Sequence, residues 1–262
     1  MNNNELKDAF LRIYGIVKRL RKECPWDRKQ TFDSLRKLTI EETYELAEAI
    51  TKKDYEGIKE ESGDLLLHIL FYSILGEEIG KFNIVDVIDF LANKLIARHP
   101  HVFGDTVAKD AETVLKNWET IKLKEKGKKS VLSGVPSSLP AVVKALRLQE
   151  KASGIGFDWE QKEDVWEKVG EEITEVKSVA KNGDKDKLEE EIGDLMFSIV
   201  NAARLYGIDA ENALEKTNQK FISRFNYIEE KAKEQGKIIS DLNLEEMDKY
   251  WDEAKNGENQ VE

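Results

Sequence analysis

Four acidic residues in the second half of the chain have a spacing that is typical of a metal-binding site: Glu172, Glu175, Glu191 and Asp194. Residues three apart on a helix project from the same face, so the first two side chains point together and so do the last two. Carboxylates that converge repel one another unless a cation lies between them. Oxygen ligands suit hard cations such as Mg²⁺, Mn²⁺ or Ca²⁺, and Mg²⁺ leaves positions open for water and phosphate. The spacing therefore predicts a Mg²⁺ site, with Mn²⁺ as a substitute.

The first half of the chain repeats this acidic pattern. Its members, each 130 positions before a counterpart in the second half, are Glu42, Glu45, Glu61 and Asp64. The same offset relates Gly63 to Gly193 and Leu65 to Leu195. A constant offset across two helices indicates an internal duplication. The sequence therefore predicts a second metal site in the first half.

Acidic residues at this spacing are also common on solvated helix faces, which is the structural alternative to a metal site. Asp194, however, stands beside a mostly apolar run from Leu195 to Val200, where a merely solvated carboxylate is out of place. The recurrence of the pattern also favours metal binding. Zinc is disfavoured because the sequence has no Cys-x-x-Cys or His-rich cluster, and di-iron because neither half has Glu-x-x-His.

Phosphate needs positive charge beyond the metal, and one predicted helix offers it. Lys220 and Arg224 are four residues apart and share a helix face. Arginine binds phosphate oxygens in a fork, whereas lysine acts as a point charge. A plain surface pair is the alternative, but the first half repeats the pair as Lys94 and Arg98. A role in binding phosphate is therefore expected.

Three further positions bear on nucleotide binding and on the difference between the halves. Trp251 either offers a ring for stacking on a base or belongs to the core, and its counterpart is Trp118. Lys168, one turn before the first predicted metal ligand, is a weaker phosphate candidate. His68 stands where the second half has Ser198, so the two sites differ in polarity and in available ligands.

Helical periodicity predicts an all-α protein. Apolar residues recur at spacings near three and four, as at Leu65, Leu66 and Ile69, and no sustained alternating strand pattern is present. Asp54 and Asp184 are placed to cap the helices that follow them. The predicted helices span residues 4–23, 37–52, 54–78, 84–98, 111–125, 139–153, 161–181, 184–206, 209–234 and 244–255.

The duplication predicts two helical domains, over residues 1–125 and 139–262. Residues 126–138, rich in Lys, Ser, Gly and Pro, form the predicted linker between them. A helix pair with carboxylates on one side needs other helices to complete an enclosed pocket. Those helices come either from the same chain or from a second copy, a choice that the sequence leaves open.

The composition narrows the range of function classes. The net charge is −11, and no basic cluster dominates the sequence as it does in nucleic-acid-binding proteins. An acidic protein can still bind a phosphorylated substrate when a metal ion lies between them. No stretch approaches the roughly 20 apolar residues of a membrane helix. The N-terminus lacks a secretory pattern, and the single Cys24 permits no internal disulfide. A cytoplasmic protein with no nucleic-acid and no membrane partner is therefore expected.

The duplicated acidic pattern resembles that of the all-α NTP pyrophosphatase family. Residues 24–27 (Cys-Pro-Trp-Asp), 99–103 (His-Pro-His-Val-Phe) and 156–159 (Gly-Phe-Asp-Trp) look like segments of its two-domain members. This resemblance covers nearly the whole chain and implies tandem duplicated four-helix-type MazG-like domains, completed by formation of a homodimer. It also implies metal-dependent hydrolysis of NTP or dNTP to NMP or dNMP and pyrophosphate, which cleans the nucleotide pool.

The resemblance also implies roles for individual residues of the second half. The implied metal ligands are the four acidic residues described first: Glu172, Glu175, Glu191 and Asp194. Nucleotide contacts are implied for Lys220, Arg224 and Trp251, with Lys168 and Glu171 nearby. Glu171 joins the metal ligands in the predicted catalytic set. Either Glu171 or Glu190, both candidate substrate contacts, is expected to position the attacking water.

Two alternatives remain beside this interpretation. One is an enzyme of the same fold with a narrow substrate, such as phosphoribosyl-ATP or dUTP. The other is a non-catalytic helical interaction protein whose acidic faces bind a partner, which predicts neither metal dependence nor nucleotide binding.

Overall fold

Helices account for all the regular structure of the residues that the computed structural model describes, which are 2–106, 110, 114 and 130–258. The predicted all-α class is confirmed. The helices described in the first half are α1 (Asn3–Glu23), α2 (Phe32–Lys52), α3 (Tyr55–Glu78), α4 (Ile84–Arg98) and the short α5 (Pro100–Phe103). Those described in the second half are α6 (Ala141–Ser153), α7 (Val165–Ala180), α8 (Lys185–Leu205), α9 (Ala210–Glu234) and α10 (Leu244–Glu258).

The chain divides into two compact units, an N-terminal unit of residues 1–108 and a C-terminal unit of residues 109–262. The domain boundaries at 125 and 138 stay predictions, because most of residues 107–129 lie outside the described part. The helix predicted over 111–125, which includes Trp118, lies outside the described part of the chain except at position 114. None of the described helices combines the length and apolarity needed to cross a membrane.

A capped turn joins the two acidic helices of each unit. Asp54 caps α3, and its Oδ1 accepts a hydrogen bond from the backbone N–H three residues later at 3.1 Å. Asp184 caps α8 in the same way, at 3.2 Å. Both predicted N-caps are confirmed. These side chains satisfy N–H groups that the first turn of a helix leaves without partners, so they fix where the second helix begins.

The residue before each of these caps has a left-handed backbone. It is Lys53 in the N-terminal unit, with φ 56°, and Gly183 in the C-terminal unit, with φ 72°. Glycine adopts this conformation without a Cβ clash, whereas lysine adopts it at a cost. The same turn is therefore relaxed in one unit and strained in the other.

Two helices begin four or five residues away from their predicted starts. α2 begins at Phe32 rather than at 37, because Thr31 and Ser34 form a reciprocal cap. The Thr31 Oγ1 accepts from the Ser34 N–H at 3.1 Å, and the Ser34 Oγ accepts from the Thr31 N–H at 2.8 Å. α7 begins at Val165 rather than at 161, because residues 162–164 form a 3₁₀ turn instead.

Apolar packing holds the acidic helix pair in place in each unit. In the N-terminal unit, α2 and α1 both pack on α3, around a core of Val17, Leu35, Leu70, Phe71, Ile74, Leu75 and Ile84. In the C-terminal unit, α7 packs on α8 around Val165, Val169 and Ala202. α6 contacts both α8 and α9, and α9 packs on α10 around a separate cluster that includes Ile228 and Tyr250.

Candidate metal centres

Three of the four acidic residues predicted in the second half lie together. Glu172 and Glu175 on α7 and Glu191 on α8 each place one carboxylate oxygen within 4.8 Å of the others. Glu172 is 4% exposed, Glu191 is half-buried and Glu175 is exposed, so the group opens from the helix interface towards solvent. Asp194 is exposed on α8 and is not part of this group of three, so its role as a fourth ligand stays a prediction.

The neighbouring carboxylates of this group disfavour the charged form of Glu175. Removal from water raises the pKa of Glu175, and the neighbouring Glu172 and Glu191 raise it further. Lys168 opposes this repulsion, since its Nζ lies 2.7 Å from a Glu172 oxygen and 3.2 Å from a Glu171 oxygen. Those two carboxylates raise the pKa of Lys168 in turn. Lys168, predicted as a weak phosphate contact, thus contacts the acidic group itself.

The C-terminal group fits a hard divalent cation. Glu172 Oε1 is paired with the Lys168 ammonium, but Glu172 Oε2 is buried and has no hydrogen-bond partner among the described residues. A buried polar atom without a partner is costly, and an anionic oxygen is satisfied by a cation. The donors are carboxylate oxygens alone, which is the chemistry that Mg²⁺ and Mn²⁺ prefer.

The N-terminal unit holds a similar group. Glu42, Glu45 and Glu61 place one oxygen each within 4.8 Å of one another. Burial raises the pKa of Glu42, and the charges of Asp64 and Glu45 raise it further. Burial also raises the pKa of Glu61, followed by the charge of Glu45. Asp64 is not part of this group of three, so its role as a fourth ligand stays a prediction.

The two groups differ at the position of His68. This imidazole is buried in the N-terminal unit, and its Nδ1 has no hydrogen-bond partner among the described residues. Burial lowers the pKa of His68, and nearby Asp64 opposes that effect only in part. At the matching position Ser198 is also buried, but its hydroxyl donates to the Leu195 carbonyl oxygen at 2.9 Å. The predicted difference in polarity is therefore present in the fold.

The residues predicted to contact phosphate and base lie on α9 and α10. Lys220 is exposed, and Glu190 on α8 is exposed as well. The Arg224 guanidinium carbon lies 5.3 Å from the centroid of the Trp251 ring, a cation–π contact. Phe221 packs at 5.2 Å from the same ring, and Trp251 is half-buried. Trp251 thus supports Arg224, while the contacts of these residues with a nucleotide stay predictions.

The C-terminal unit contains a cavity of about 510 Å³ that no spacing pattern in the sequence predicts. Its walls come from α6, from residues 156–159 and from α8. A bidentate ion pair holds them together, in which Arg204 donates to Asp158 at 3.0 and 2.5 Å. Although burial alone would raise the pKa of Asp158, hydrogen bonds from Arg204 hold that pKa below its usual value. Residues 156–159 are one of the segments that carry the family resemblance, but no spacing pattern connects them to Arg204.

Comparison with known proteins matches both halves of the chain to one domain family. A profile of the MazG nucleotide pyrophosphohydrolase domain matches residues 30–103 and 160–228, and each match contains one acidic group. The chain is 46% identical to the nucleoside triphosphate pyrophosphohydrolase/pyrophosphatase MazG of Thermotoga maritima, over 95% of this chain and 96% of that protein. It is 41% identical to the nucleoside triphosphate pyrophosphohydrolase of Escherichia coli K12, over 94% and 97%.

A third relative extends the comparison to a longer protein. The chain is 48% identical to the uncharacterized protein YabN of Bacillus subtilis, over 97% of this chain and 53% of that protein. The family model matches twice, and the first two relatives match over 94–97% of either chain, so the predicted resemblance and duplication are confirmed. The chain belongs to the MazG nucleotide pyrophosphohydrolase family.

Proposed function

We propose that this protein hydrolyses nucleoside triphosphates and their deoxy forms between the α- and β-phosphates, releasing a nucleoside monophosphate and pyrophosphate. The observation that carries the proposal is the C-terminal group of Glu172, Glu175 and Glu191, with its buried carboxylate oxygen that lacks a partner. Relatives in two bacteria that match over nearly the whole chain are named for this activity. Mg²⁺ is the proposed cofactor, with Mn²⁺ as a substitute.

The proposed metal ligands are the three grouped glutamates together with Asp194, one turn beyond Glu191 on α8. A divalent cation bound there would supply positive charge that screens the triphosphate and would make a neighbouring water more acidic. Glu171 or Glu190 would position the attacking water. Lys220 and Arg224 bind the oxygens on which charge grows as pyrophosphate leaves.

Lys168 has a distinct part in this mechanism. Its ammonium bridges Glu171 and Glu172 at hydrogen-bonding distance. If the carboxylates held a cation instead, the ammonium would be available to a phosphate oxygen of the substrate. Lys168 would then link the charge state of the acidic group to substrate binding.

We also propose that the protein forms a homodimer. The α8 side chains Ile192, Met196 and Ile199 are between 43% and 49% exposed, and they form a stripe beside Glu191. Leu66 and Ile69 repeat part of this stripe on α3 of the other unit. An apolar stripe of this kind marks an interaction surface, and a second copy of the same helix pair would complete a bundle around the acidic group.

The activity is tested by measuring pyrophosphate release from a panel of NTPs and dNTPs, with Mg²⁺ or with EDTA. Nucleoside monophosphate and pyrophosphate that form only with metal are the expected products, and the panel reveals whether one substrate dominates. Well-folded protein that forms no product with any nucleotide would overturn the proposal.

The site assignment is tested by two matched variants. Glu172→Ala is expected to lower turnover by about 100-fold or more, because it removes the buried ligand. Glu42→Ala makes the same change in the N-terminal group and is expected to leave most of the activity. The opposite pattern, with Glu42 required and Glu172 dispensable, would move the active site to the N-terminal unit.

A further inference from the structure

The end of α1, the turn that follows it and the start of α2 carry a high density of positive charge. Residues 18–37 include eight Lys or Arg and three Asp or Glu, a net charge of +5 in a chain whose net charge is −11. The corresponding residues of the second half, 149–168, include three Lys or Arg and six Asp or Glu, a net charge of −3. The basic character of this segment therefore belongs to the N-terminal copy of the duplication.

Only part of this positive charge is neutralised within the fold. Lys18, Arg19 and Arg21 each form an ion pair with a glutamate, at nitrogen–oxygen distances between 2.8 and 3.1 Å. The exposed Asp33 offsets one further charge. Uncompensated cations on a surface attract anions. The cations of this segment that are exposed and form no ion pair with the described residues are Lys22, Arg28, Lys29, Arg36 and Lys37.

Trp26 follows Lys22 by four residues and precedes Arg28 by two, and its ring is largely uncovered. The residue is 58% exposed, and its indole makes no hydrogen bond or ring contact with the described residues. Tryptophan is mostly buried in folded proteins, because its large apolar surface gains from being removed from water. An uncovered indole among unpaired cations suits a ligand that combines a planar ring with negative charge.

The turn that presents Trp26 is held in one shape. Residues 27–29 form a 3₁₀ turn directly after it. From α1, the Arg21 guanidinium donates to two backbone carbonyl oxygens of this turn, at 2.7 and 3.0 Å. Both oxygens of Glu78 accept from the same guanidinium at 2.8 Å, which fixes the arginine in turn. A surface that is already ordered loses less conformational entropy when a ligand binds.

The acidic remainder of the chain does not cancel this local positive charge. The Debye length is about 8 Å at physiological ionic strength, so exposed charges farther away than this are largely screened. The net charge of −11 disfavours a nucleic-acid partner for the chain as a whole, but it does not describe this surface.

We propose that single-stranded nucleic acid binds to this basic surface of the N-terminal unit. We call it the Trp26 surface, and its members are Lys22, Trp26, Arg28 and Lys29. A base stacks on the indole, and the neighbouring cations bind phosphates of the chain. Stacking and phosphate contacts carry little sequence information, so RNA and DNA are both expected to bind. This activity goes beyond the proposed hydrolysis and requires neither the acidic groups nor a metal.

The test measures the fluorescence anisotropy of labelled oligonucleotides of about 12 nucleotides, one of uridine RNA and one of thymidine DNA. EDTA is present throughout, so that no divalent cation can link the phosphates to the acidic groups. Trp26→Ala is expected to weaken the binding of both oligonucleotides by about tenfold, the scale of one lost stacking contact. A chain with both Arg28→Gln and Lys29→Gln is expected to lose affinity and to lower the slope of log affinity against log salt by about 1.4.

Two variants of the same unit are the matched controls. A chain with both Lys7→Gln and Arg12→Gln loses two exposed cations that lie at least about 15 Å from Lys22 along the axis of α1. Tyr55→Ala removes an aromatic side chain from a residue that is 77% exposed at the start of α3. Both controls are expected to bind the oligonucleotides as wild-type protein does. Circular dichroism verifies that every variant folds.

Wild-type protein that binds neither oligonucleotide overturns the proposal. Binding that the variants of the Trp26 surface leave unchanged, or that the controls weaken equally, overturns it as well. Displacement of the labelled RNA by poly-L-glutamate as readily as by unlabelled RNA would assign the surface to acidic proteins instead, because charge alone would then account for binding. None of these results bears on pyrophosphate release, which is measured separately.

Discussion

Glu175 illustrates how a single carboxylate makes stability depend on metal and pH. Its pKa is raised in the folded protein, so at neutral pH the charged form destabilises the fold relative to the unfolded chain. This cost is relieved as the pH falls through the raised pKa. A cation among the carboxylates relieves the same cost at neutral pH, and protons compete with the cation as the pH falls.

We therefore expect Mg²⁺ to raise the apparent melting temperature at about pH 7.5, and to raise it much less at about pH 5. Melting curves with Mg²⁺ and with EDTA at both pH values provide the measurement. Glu172→Gln should reduce the Mg²⁺ effect at the higher pH, since the buried ligand is lost. A shift of equal size at both pH values would contradict the assignment of these carboxylates to the metal.

Glu78 is expected to stabilise the N-terminal unit in the opposite pH range. Arg21 donates to both of its oxygens at 2.8 Å, and these hydrogen bonds lower the pKa of Glu78 below the ordinary 4.5. A depressed pKa gives stability that is present above 4.5 and lost as the pH falls through the folded value. Because the Glu78 side chain is 43% exposed, solvent screening limits the contribution to about 0.5–1 kcal/mol.

Glu78→Gln should therefore lower the free energy of unfolding by that amount at about pH 7 and by less at about pH 3. Urea unfolding at the two pH values provides the measurement. Glu23→Gln, which removes the exposed ion pair with Arg19, is the control and should change little at either pH. A loss in Glu78→Gln that is of equal size at both pH values would contradict the ion pair as its source.

At the scale of elements, the turn between α2 and α3 is the place where the two units can be compared directly. Lys53 carries the left-handed backbone that Gly183 carries in the other turn. Lys53→Gly is expected to raise the free energy of unfolding of the N-terminal unit by about 0.5–1 kcal/mol, because glycine avoids the Cβ clash. Lys53→Ala keeps the Cβ and should have little effect in the same urea titration. Equal stability of the two variants would show that the turn is not strained.

The sequence predicted those elements whose signals are local. Asp54 and Asp184 cap the helices that they precede, and the acidic residues meet because helical spacing places them on one face. The start of α2 was predicted too late, because its cap pairs Thr31 with a serine rather than with the glutamate that usually marks such a box.

The cavity could not be predicted from spacing, because its walls are distant in the chain. Gln149 meets the Phe197 carbonyl, and Asp158 meets Arg204, only after α6 has packed on α8. The contact of Arg224 with Trp251 likewise joins two separate helices. Tertiary packing decides such pairs, and one sequence carries no periodic signal for them.

At the scale of the whole molecule, the exposed stripe on α8 predicts the association state. Met196→Glu places a charge in the middle of that stripe and is expected to convert a dimer into a monomer. Sedimentation equilibrium of wild-type and variant protein provides the measurement. Leu244→Glu, a change at an exposed site on α10, is the control and should leave the dimer intact. Wild-type protein that sediments at the mass of one chain would contradict the proposed dimer.

The contact of Lys168 with Glu172 bears on how a newly made chain folds. An ammonium beside the most buried carboxylate compensates part of its charge before any divalent ion arrives. We therefore expect the C-terminal unit to fold without a bound metal. Under the proposed Mg²⁺ dependence, the cation would then arrive as the counterion of the nucleotide, so that cofactor and substrate would bind to the folded protein together.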